Sequence, residues 1–397
     1  MKRWILLFAL ALVLGFAGWA AREAVRPYRA YSGKLGLTVR AGTRAPEIAK
    51  LLTEHGVLAH RLPFLLRAWL GRRHETLKAG EYLFDRPLSP VEVYRKLARG
   101  QVYLHSVVIP EGSDRFEMAR ILNAQLGLSP QAFLAATSSG TPVRDLDPAA
   151  PSLEGYLFPD TYRFPRGVTA QVVIEKMLER FRSVYSTKIR SSLSGEALKL
   201  HDVITLASMV ERETPAPAER PEIAGIFVRR LNRHMLLECD PTVVYALRLA
   251  QGSSDAPEPA IMKIDLAAAS PYNTYLYPGL PPGPICSPGL ASIRAALSPQ
   301  AGNTLYFVSN HHGGHLFART LQEHERNVAR SRRELAALRQ NNGLAGTAEP
   351  DRATDVPGTD FAEDHGQSPG KQKTTHSKLR RAGRHKKRRP RRATGDS

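Results

Sequence analysis

Cysteine is nearly absent from this chain of 397 residues, which contains only Cys239 and Cys286. Two cysteines exclude a disulfide framework and a cysteine-rich zinc site. They could pair with each other in an oxidising compartment, or both could serve as small buried side chains. The sequence leaves both alternatives open, and the chain has the length and composition of a globular protein with two or three domains.

Several enzyme motifs are also missing. The chain has no glycine-rich phosphate loop, no Ser/His/Asp arrangement and no metalloprotease helix motif. His311, His312 and His315 come nearest to a metal-ligand cluster, but two glycines separate them and no Glu or Cys ligand set is close by, which favours a turn over a metal site. The sequence therefore predicts neither a metal nor an organic cofactor.

Acidic residues are few, because 56 Lys and Arg face 37 Asp and Glu and the formal net charge is +19. Residues 371–397 hold twelve Lys and Arg and one acid, whereas residues 349–370 hold six acids and one Arg. Residues 341–397 have few apolar side chains, which predicts a disordered tail, acidic and then basic. The basic run is either a solvated segment or a tether to anionic polymer or lipid, and it lacks the interleaved aromatics of a nucleic-acid site.

One long uncharged segment, Trp4 to Ala21, follows Lys2 and Arg3. Its eighteen residues would form a helix of roughly 27 Å, close to the hydrocarbon thickness of a bilayer. Its length favours an uncleaved membrane anchor over a cleaved signal peptide, although small residues near Gly18 would suit cleavage. Flanking charge weakly favours a cytoplasmic N-terminus, with the body of the protein outside the cytoplasm.

The body alternates helical and strand patterns, which predicts an α+β protein: an N-terminal transmembrane helix with its flank (1–29), a small αβ module (30–101) and a larger mixed α/β domain (102–340), followed by the tail (341–397). Strands are predicted at 35–39, 80–84, 102–109, 304–308 and 315–317. Helices are predicted at 45–55, 62–70, 89–97, 114–125, 169–191, 200–213, 221–233, 289–297 and 321–339. Residues 270–289 are rich in Pro, Gly and Tyr and read as a long functional loop.

Two acids end an otherwise apolar helical segment. Glu211 and Glu213 follow Val203, Leu206 and Val210, and apolar neighbours favour the protonated carboxyl that a general acid requires. The alternative is a pair of ordinary solvent-facing acids at a helix end, which is commoner for a random pair. The helical pattern does not separate the two residues.

Further candidates lie downstream. Asp240 precedes a proline and is therefore held extended at the start of a helix, where Asp is more often a cap than a catalyst. Tyr272 and Asn273 offer a phenol and an amide of the kind that bind sugars, or a packed turn.

Six motifs in order carry a family resemblance: Glu154-Gly-Tyr-Leu-Phe-Pro-Asp-Thr-Tyr162, Leu206-Ala-Ser-Met-Val-Glu-Arg-Glu-Thr214, Asp240-Pro-Thr-Val243, Tyr272-Asn-Thr-Tyr275, Gly279-Leu-Pro-Pro-Gly283, and Leu305-Tyr-Phe-Val308 with Gly313-Gly-His-Leu-Phe317. Through these six motifs, residues 30–335 resemble the endolytic murein transglycosylase (YceG-like) family. The resemblance implies a single-pass inner-membrane protein with a LysM-like unit (30–101) before a catalytic domain (102–340). Such enzymes cut nascent peptidoglycan between MurNAc and GlcNAc and leave a 1,6-anhydroMurNAc end.

The resemblance also assigns roles to residues. The family's catalytic Glu corresponds to Glu211, and the remaining motif positions imply a substrate cleft. The residues implied there are Glu213, Asp240, Asn273, Tyr272 and Glu154. The chain departs from the family pattern at Glu238 and Cys239, at Ser287 and at Glu325, which affects substrate contacts rather than Glu211. The implied partners are peptidoglycan strands, the inner membrane and peptidoglycan synthases, with no nucleic acid.

A single decisive carboxyl is sufficient for this chemistry. A hydrolase needs a second carboxyl as base or nucleophile, whereas in a lytic transglycosylase the C6 hydroxyl of MurNAc attacks C1 within the same sugar. Two alternatives stay open: a hydrolase with Asp240 or Glu238 as base, and a non-catalytic scaffold that binds the wall.

Overall fold

The structure is a computed structural model, and it describes residues 2–72, 74–193, 199–254 and 257–341. The predicted acidic and basic tail lies outside these residues, apart from the end of one helix. The first element, α1 (Lys2–Val25), is long and apolar enough to cross a membrane. Most of its large apolar side chains are exposed, as expected of a helix whose surroundings are lipid. The prediction of an N-terminal apolar helix is confirmed.

A small αβ module follows α1, with its own apolar core. Its elements are β1 (Leu35–Val39), α2 (Ala45–Glu54), α3 (Arg61–Gly71), β2 (Gly80–Phe84) and α4 (Pro90–Ala98). The two strands pair antiparallel, with Leu37 opposite Tyr82, and their inward side chains pack on the helices. The Ser89 side chain caps α4 in a capping box with Glu92, so this helix begins where the sequence predicted.

The larger domain is mainly helical. Its elements are β3 (His105–Val108), α5 (Arg115–Leu126), α6 (Pro130–Thr137), β4 (Thr161–Phe164), α7 (Ala170–Val184), α8 (Arg190–Leu193), α9 (Leu200–Glu213), α10 (Arg220–Asn232), α11 (Asp240–Gln251), α12 (Leu290–Leu297), β5 (Tyr306–Ser309), β6 (His315–Ala318) and α13 (Leu321–Asn341). In the described residues the strands form antiparallel pairs, β1 with β2, β3 with β4 and β5 with β6, rather than one sheet.

The centre of this domain is α9. Residues Val203 to Val210 of α9 are buried, and α10, α11 and α12 pack around the helix. Its outer end carries the acids that the sequence singled out. The apolar part of α9 is therefore packed in the core, and its polar last turn extends from the core toward the surface.

The structure corrects some predicted boundaries. The strand predicted at 102–109 is shorter, and the helix predicted at 169–191 contains a π-helical turn at Tyr185–Ile189. The sequence missed α6 and β4, which lie in or beside stretches rich in Ser, Gly and Pro. The loop 270–289 has no regular element, and the turn between β5 and β6 holds His311 and His312, both as predicted.

Candidate active site

Glu211 lies in the last turn of α9, and both of its carboxyl oxygens are held. Arg220 Nη2, at the start of α10, donates to Oε1 at 2.9 Å. The backbone N–H of Gly289, just before α12, donates to Oε2 at 2.9 Å. The Glu211 side chain is only 5% exposed. Two charge-assisted donors from separate elements therefore fix its orientation.

A second carboxyl, Glu111, lies beside Glu211. Arg220 Nη1 is 3.9 Å from Glu111 Oε2, so one guanidinium faces both acids. Burial, and then the charge of Glu211, raises the pKa of Glu111, while Arg220 lowers it. The Glu111 side chain is about half exposed (51%), in contrast to Glu211. The sequence analysis did not identify Glu111, which is distant in sequence from every other site residue.

A turn brings Glu111 to this position. Gly112 adopts φ +80, a conformation that favours glycine, and a Cβ added to it would lie 3.6 Å from Glu211 Cγ. The backbone N–H of Gly112 donates to Ser287 O at 2.9 Å, and that of Ser287 donates to Ser113 O at 2.9 Å. The turn before α5 is thus joined to the loop before α12. The short run Pro110-Glu-Gly-Ser113 was the available signal, because glycine after an acid marks a turn that presents it.

Ion pairs border this site. Arg212 pairs with Glu258 and donates to Gly112 O at 3.5 Å. Arg248 Nε lies 3.2 Å from Asp114 Oδ2. These pairs connect α9, α11 and the start of α5, so the surroundings of Glu211 and Glu111 are charged and cross-linked.

Glu213 belongs to a different, partly buried cluster, together with Cys239 and Asp240. Residues that are two positions apart along a helix point about 200° apart, so Glu213 and Glu211 lie on different faces of α9. Burial raises its pKa to about 7, and the Cys239 thiol hydrogen-bonds to its carboxyl. Asp240 is its neighbour, with a pKa raised by burial, and accepts from the Tyr275 hydroxyl at 2.5 Å.

Glu154 lies beneath the site in the protein core. Its Oε2 accepts from the Arg115 backbone N–H at 3.1 Å and from the Tyr245 hydroxyl at 3.0 Å. Burial raises the pKa of Glu154 to about 7, and Arg115 opposes that rise. The Tyr272 ring packs against that of Tyr245, with centroids 5.0 Å apart, and burial raises the pKa of Tyr272 to about 12. Glu154 thus joins α5 and α11 through hydrogen bonds, and the loop 270–289 packs on the same tyrosine through Tyr272.

Asn273 is fully buried, and its side chain hydrogen-bonds to backbone groups of the loop that contains it. Its amide donates to Leu266 O and Ala268 O, each at 2.9 Å, and its Oδ1 accepts from Tyr275 N at 3.0 Å. These bonds occupy the amide with backbone groups. Of the predicted site residues, the structure therefore places Glu211 beside Glu111 and Arg220, Glu213 and Asp240 in a partly buried cluster, and Asn273 and Glu154 in the interior. The roles of all of them toward a substrate stay predictions.

The cysteines and histidines have partners that explain them. Cys239 and Cys286 are both buried and free, so they do not pair. His315 Nδ1 lies 2.7 Å from Glu219 Oε2, and His311 Nε2 lies 2.8 Å from Ser331 Oγ. Across the described ranges, no group of three or more His, Cys, Asp or Glu side chains is arranged to hold a metal.

Gly289→Ala is expected to lower activity about tenfold with little loss of stability, because catalysis depends on sub-ångström positions. A Cβ on Gly289 would overlap the Glu111 carboxyl, whereas its φ of −74° suits alanine. Because Glu111 is half exposed, its side chain can rotate into solvent, away from Glu211 and Arg220. Turnover and thermal melting would be measured beside Gly302→Ala, whose Cβ would meet only Arg229 at 3.8 Å. Equal turnover in the two variants would contradict the importance of this contact.

Stability is expected to decrease as pH rises from about 4.5 to 7. The folded pKa of Glu213, about 7, exceeds its ordinary value of 4.5. The folded chain therefore binds this proton more tightly than the unfolded chain, which stabilises it at low pH, and the benefit, on the order of 3 kcal/mol, is lost through this window. Urea unfolding of the wild type and Glu213→Gln at pH 5 and pH 8 tests this. The variant should show a shallower pH dependence; identical slopes would contradict the assignment.

The geometry defines a class of protein: an α+β protein in which a nearly buried carboxyl, Glu211, and a half-exposed carboxyl, Glu111, face the same arginine. Residues 37–330 match the model of the YceG-like family. The chain belongs to this family.

Named relatives agree with this assignment. A protein named endolytic murein transglycosylase from Streptococcus pneumoniae (strain ATCC BAA-255 / R6) is 31% identical over 367 residues, covering 83% of this chain and 65% of that protein. The chain thus spans slightly less than two thirds of that relative's length. A protein of the same name from Bacillus subtilis (strain 168) is 28% identical over 331 residues, covering 79% of this chain and 90% of the relative. The crystal structure of a putative yceG-like protein from Listeria monocytogenes is similar, with a TM-score of 0.50 and 29% identity, covering 75% of this chain and 99% of the other.

Proposed function

We propose that this protein is an endolytic peptidoglycan transglycosylase, with Glu211 as general acid and then base. The support comes from family membership, from relatives that carry this name and from one geometric observation. That observation is the fixed orientation of Glu211, whose two oxygens accept from Arg220 and from the Gly289 N–H beside the half-exposed Glu111.

In the proposed reaction, protonated Glu211 donates its proton to the glycosidic oxygen between MurNAc and GlcNAc. The C1–O bond breaks and positive charge develops at C1 and the ring oxygen. The C6 hydroxyl of the same MurNAc then bonds to C1, and the Glu211 carboxylate takes the hydroxyl proton. The product is a 1,6-anhydroMurNAc end, and the enzyme regains its starting proton without a water molecule.

The two carboxyls and Arg220 suit this cycle. Two carboxylates and one guanidinium carry a net charge of −1, so uptake of one proton makes the cluster neutral. Burial and the charge of Glu211 raise the pKa of Glu111, because two like charges around one site resist full ionisation. After proton donation, Arg220 and the Gly289 N–H stabilise the Glu211 carboxylate, while the Glu111 carboxylate can stabilise the oxocarbenium-like charge.

A glycan hydrolase is the second candidate, because a second carboxyl beside the acid is the arrangement that hydrolysis uses. Glu111 is better placed for it than Asp240 or Glu238: Asp240 is bound by Tyr275, and Glu238 pairs with Arg230 Nη1 at 2.9 Å. Mass spectrometry of digested glycan strands separates the candidates. Ends lighter by one water support the transglycosylase, and reducing ends support the hydrolase. If the wild type cleaves neither strand end nor interior, a wall-binding scaffold is favoured instead.

The location follows from α1. We infer a single-pass protein of the plasma membrane, with a cytoplasmic N-terminus and the body facing the wall, where peptidoglycan strands and their synthases would be its partners. The LysM-like role of residues 30–101 belongs to this proposal, as does tethering by the basic tail. No cofactor and no nucleic acid is required. Protease accessibility of the body in intact spheroplasts would test the orientation.

A further inference from the structure

A stripe of large apolar side chains is exposed on α3. Leu62, Leu66, Trp69 and Leu70 are 38%, 38%, 58% and 66% exposed. At 3.6 residues per turn these positions cover an arc of about 100°. The opposite side of α3 carries Phe64, which is fully buried in the core of the module. A surface helix of a soluble domain has a polar outer face. The outer face of α3 is apolar instead.

This stripe continues the apolar surface of α1. A groove of about 510 Å³ lies between the two helices. It is lined from α1 by Val13, Phe16, Ala17, Ala20, Ala21 and Ala24, and from α3 by Pro63, Leu66, Arg67, Trp69 and Leu70, with Val91 from α4. These α1 residues belong to the half of the helix next to the body. A groove with so few polar groups gives water nothing to bind, and it opens beside a helix suited to lipid.

Residues at the border of the stripe suit the edge of a bilayer. The Arg72 guanidinium lies over the Trp69 ring, 5.1 Å from its centroid. Arg61 begins the helix, and Trp19 on α1 packs near His60, with ring centroids 5.7 Å apart. Tryptophan is enriched at membrane–water boundaries, and arginine can extend its charge to the head groups while its stem stays apolar.

We propose that α3 lies in the boundary layer of the membrane that α1 crosses, with Leu66, Trp69 and Leu70 among the acyl chains and a lipid chain in the groove between α1 and α3. The occupant is lipid because the stripe is continuous with the membrane-suited surface of α1. This inference rests on the proposed anchoring by α1 but adds a second contact, which seats the whole module on the bilayer.

Single-tryptophan forms of the full chain test this, since Trp4, Trp19 and Trp69 are its only tryptophans. Each form is reconstituted at low protein density in phosphatidylcholine vesicles brominated near the head-group end of the acyl chains. Trp69 alone should lose about half or more of its emission to the bromines and be blue-shifted, as expected at the depth of an interfacial helix. Trp19 alone reports on α1, and Tyr277→Trp in a tryptophan-free background is an exposed control on the larger domain, which should keep its emission.

The outcomes are distinct. Quenched Trp19 with unquenched Trp69 overturns the inference and leaves the anchor intact, whereas unquenched Trp19 and Trp69 overturn both. Transfer between labelled copies, with Trp69 unquenched, would assign the stripe to a second copy and also overturn it. The double variant Leu66→Glu and Leu70→Glu should restore Trp69 emission without changing the melting of the module, because both side chains lie outside its core.

Discussion

Glu211→Gln is expected to reduce glycan cleavage by about a thousandfold, which is the scale of a lost general acid and base. Glutamine keeps the shape of the side chain and can still accept a hydrogen bond from Arg220, but it can neither donate a proton to the glycosidic oxygen nor take one from the C6 hydroxyl. Glycan binding should change little, so the loss should appear in kcat rather than in KM. Turnover would be measured by release of soluble fragments from purified strands.

Glu222→Gln is the matched control for this experiment. Glu222 also pairs with an arginine, Arg229 at 3.0 Å, and it lies on α10, but neither of its oxygens contacts the Glu211 cluster. Its substitution should leave turnover within about twofold, as for a partly exposed ion pair. If Glu211→Gln cleaves as well as the wild type while binding glycan normally, Glu211 is not the catalytic acid.

Gly155→Ala is expected to destabilise the protein by about 3 kcal/mol or more, the combined cost of strained backbone and an overfilled core. Gly155 has φ +84, and an added Cβ would lie 2.6 Å from Pro284 and 2.9 Å from Ile204. Pro284 belongs to the loop before α12, and Ile204 belongs to α9, so neither neighbour is a flexible chain end. The clash would push apart the elements that hold Glu211.

Gly167→Ala separates the two causes. Gly167 has φ +74, but an added Cβ would meet nothing within 4 Å. This variant should therefore show only the backbone cost, about 1 kcal/mol. Urea unfolding of both variants gives the comparison, and similar losses of unfolding free energy would show that packing against Pro284 and Ile204 contributes nothing.

Local patterns predicted most of the elements. The apolar periodicity of 200–213 predicted α9 with its observed ends, and the Ser89 cap placed the start of α4. The β4 strand, Thr161–Phe164, was missed because its pairing partner, His105–Val108, is more than fifty residues away. A four-residue strand has too little periodicity of its own, and its stability comes from that distant partner.

The site was predicted in part. Glu211 was distinguished from Glu213 by motif order rather than by physics. The helix geometry adds that the two acids face different surroundings, and the choice of Glu211 stays a prediction. Glu111 was missed because its only local signal is the short turn Pro110-Glu-Gly-Ser113, which does not show what the acid faces; the bonds between this turn and Ser287 bring it to Glu211. The sequence argument of a single carboxyl is therefore incomplete: a second acid faces the same arginine.

The hold on Glu211 has a mechanical consequence. One oxygen is tied to the beginning of α10 and the other to the residue before α12, while the side chain itself rises from α9. A relative slide of these helices by a fraction of an ångström would stretch one tie and rotate the carboxyl away from the bond to be cut. Under the role proposed for Glu211, an inhibitor of this protein need not resemble a sugar: a molecule inserted between α9 and α12 would misalign the carboxyl and stop proton transfer.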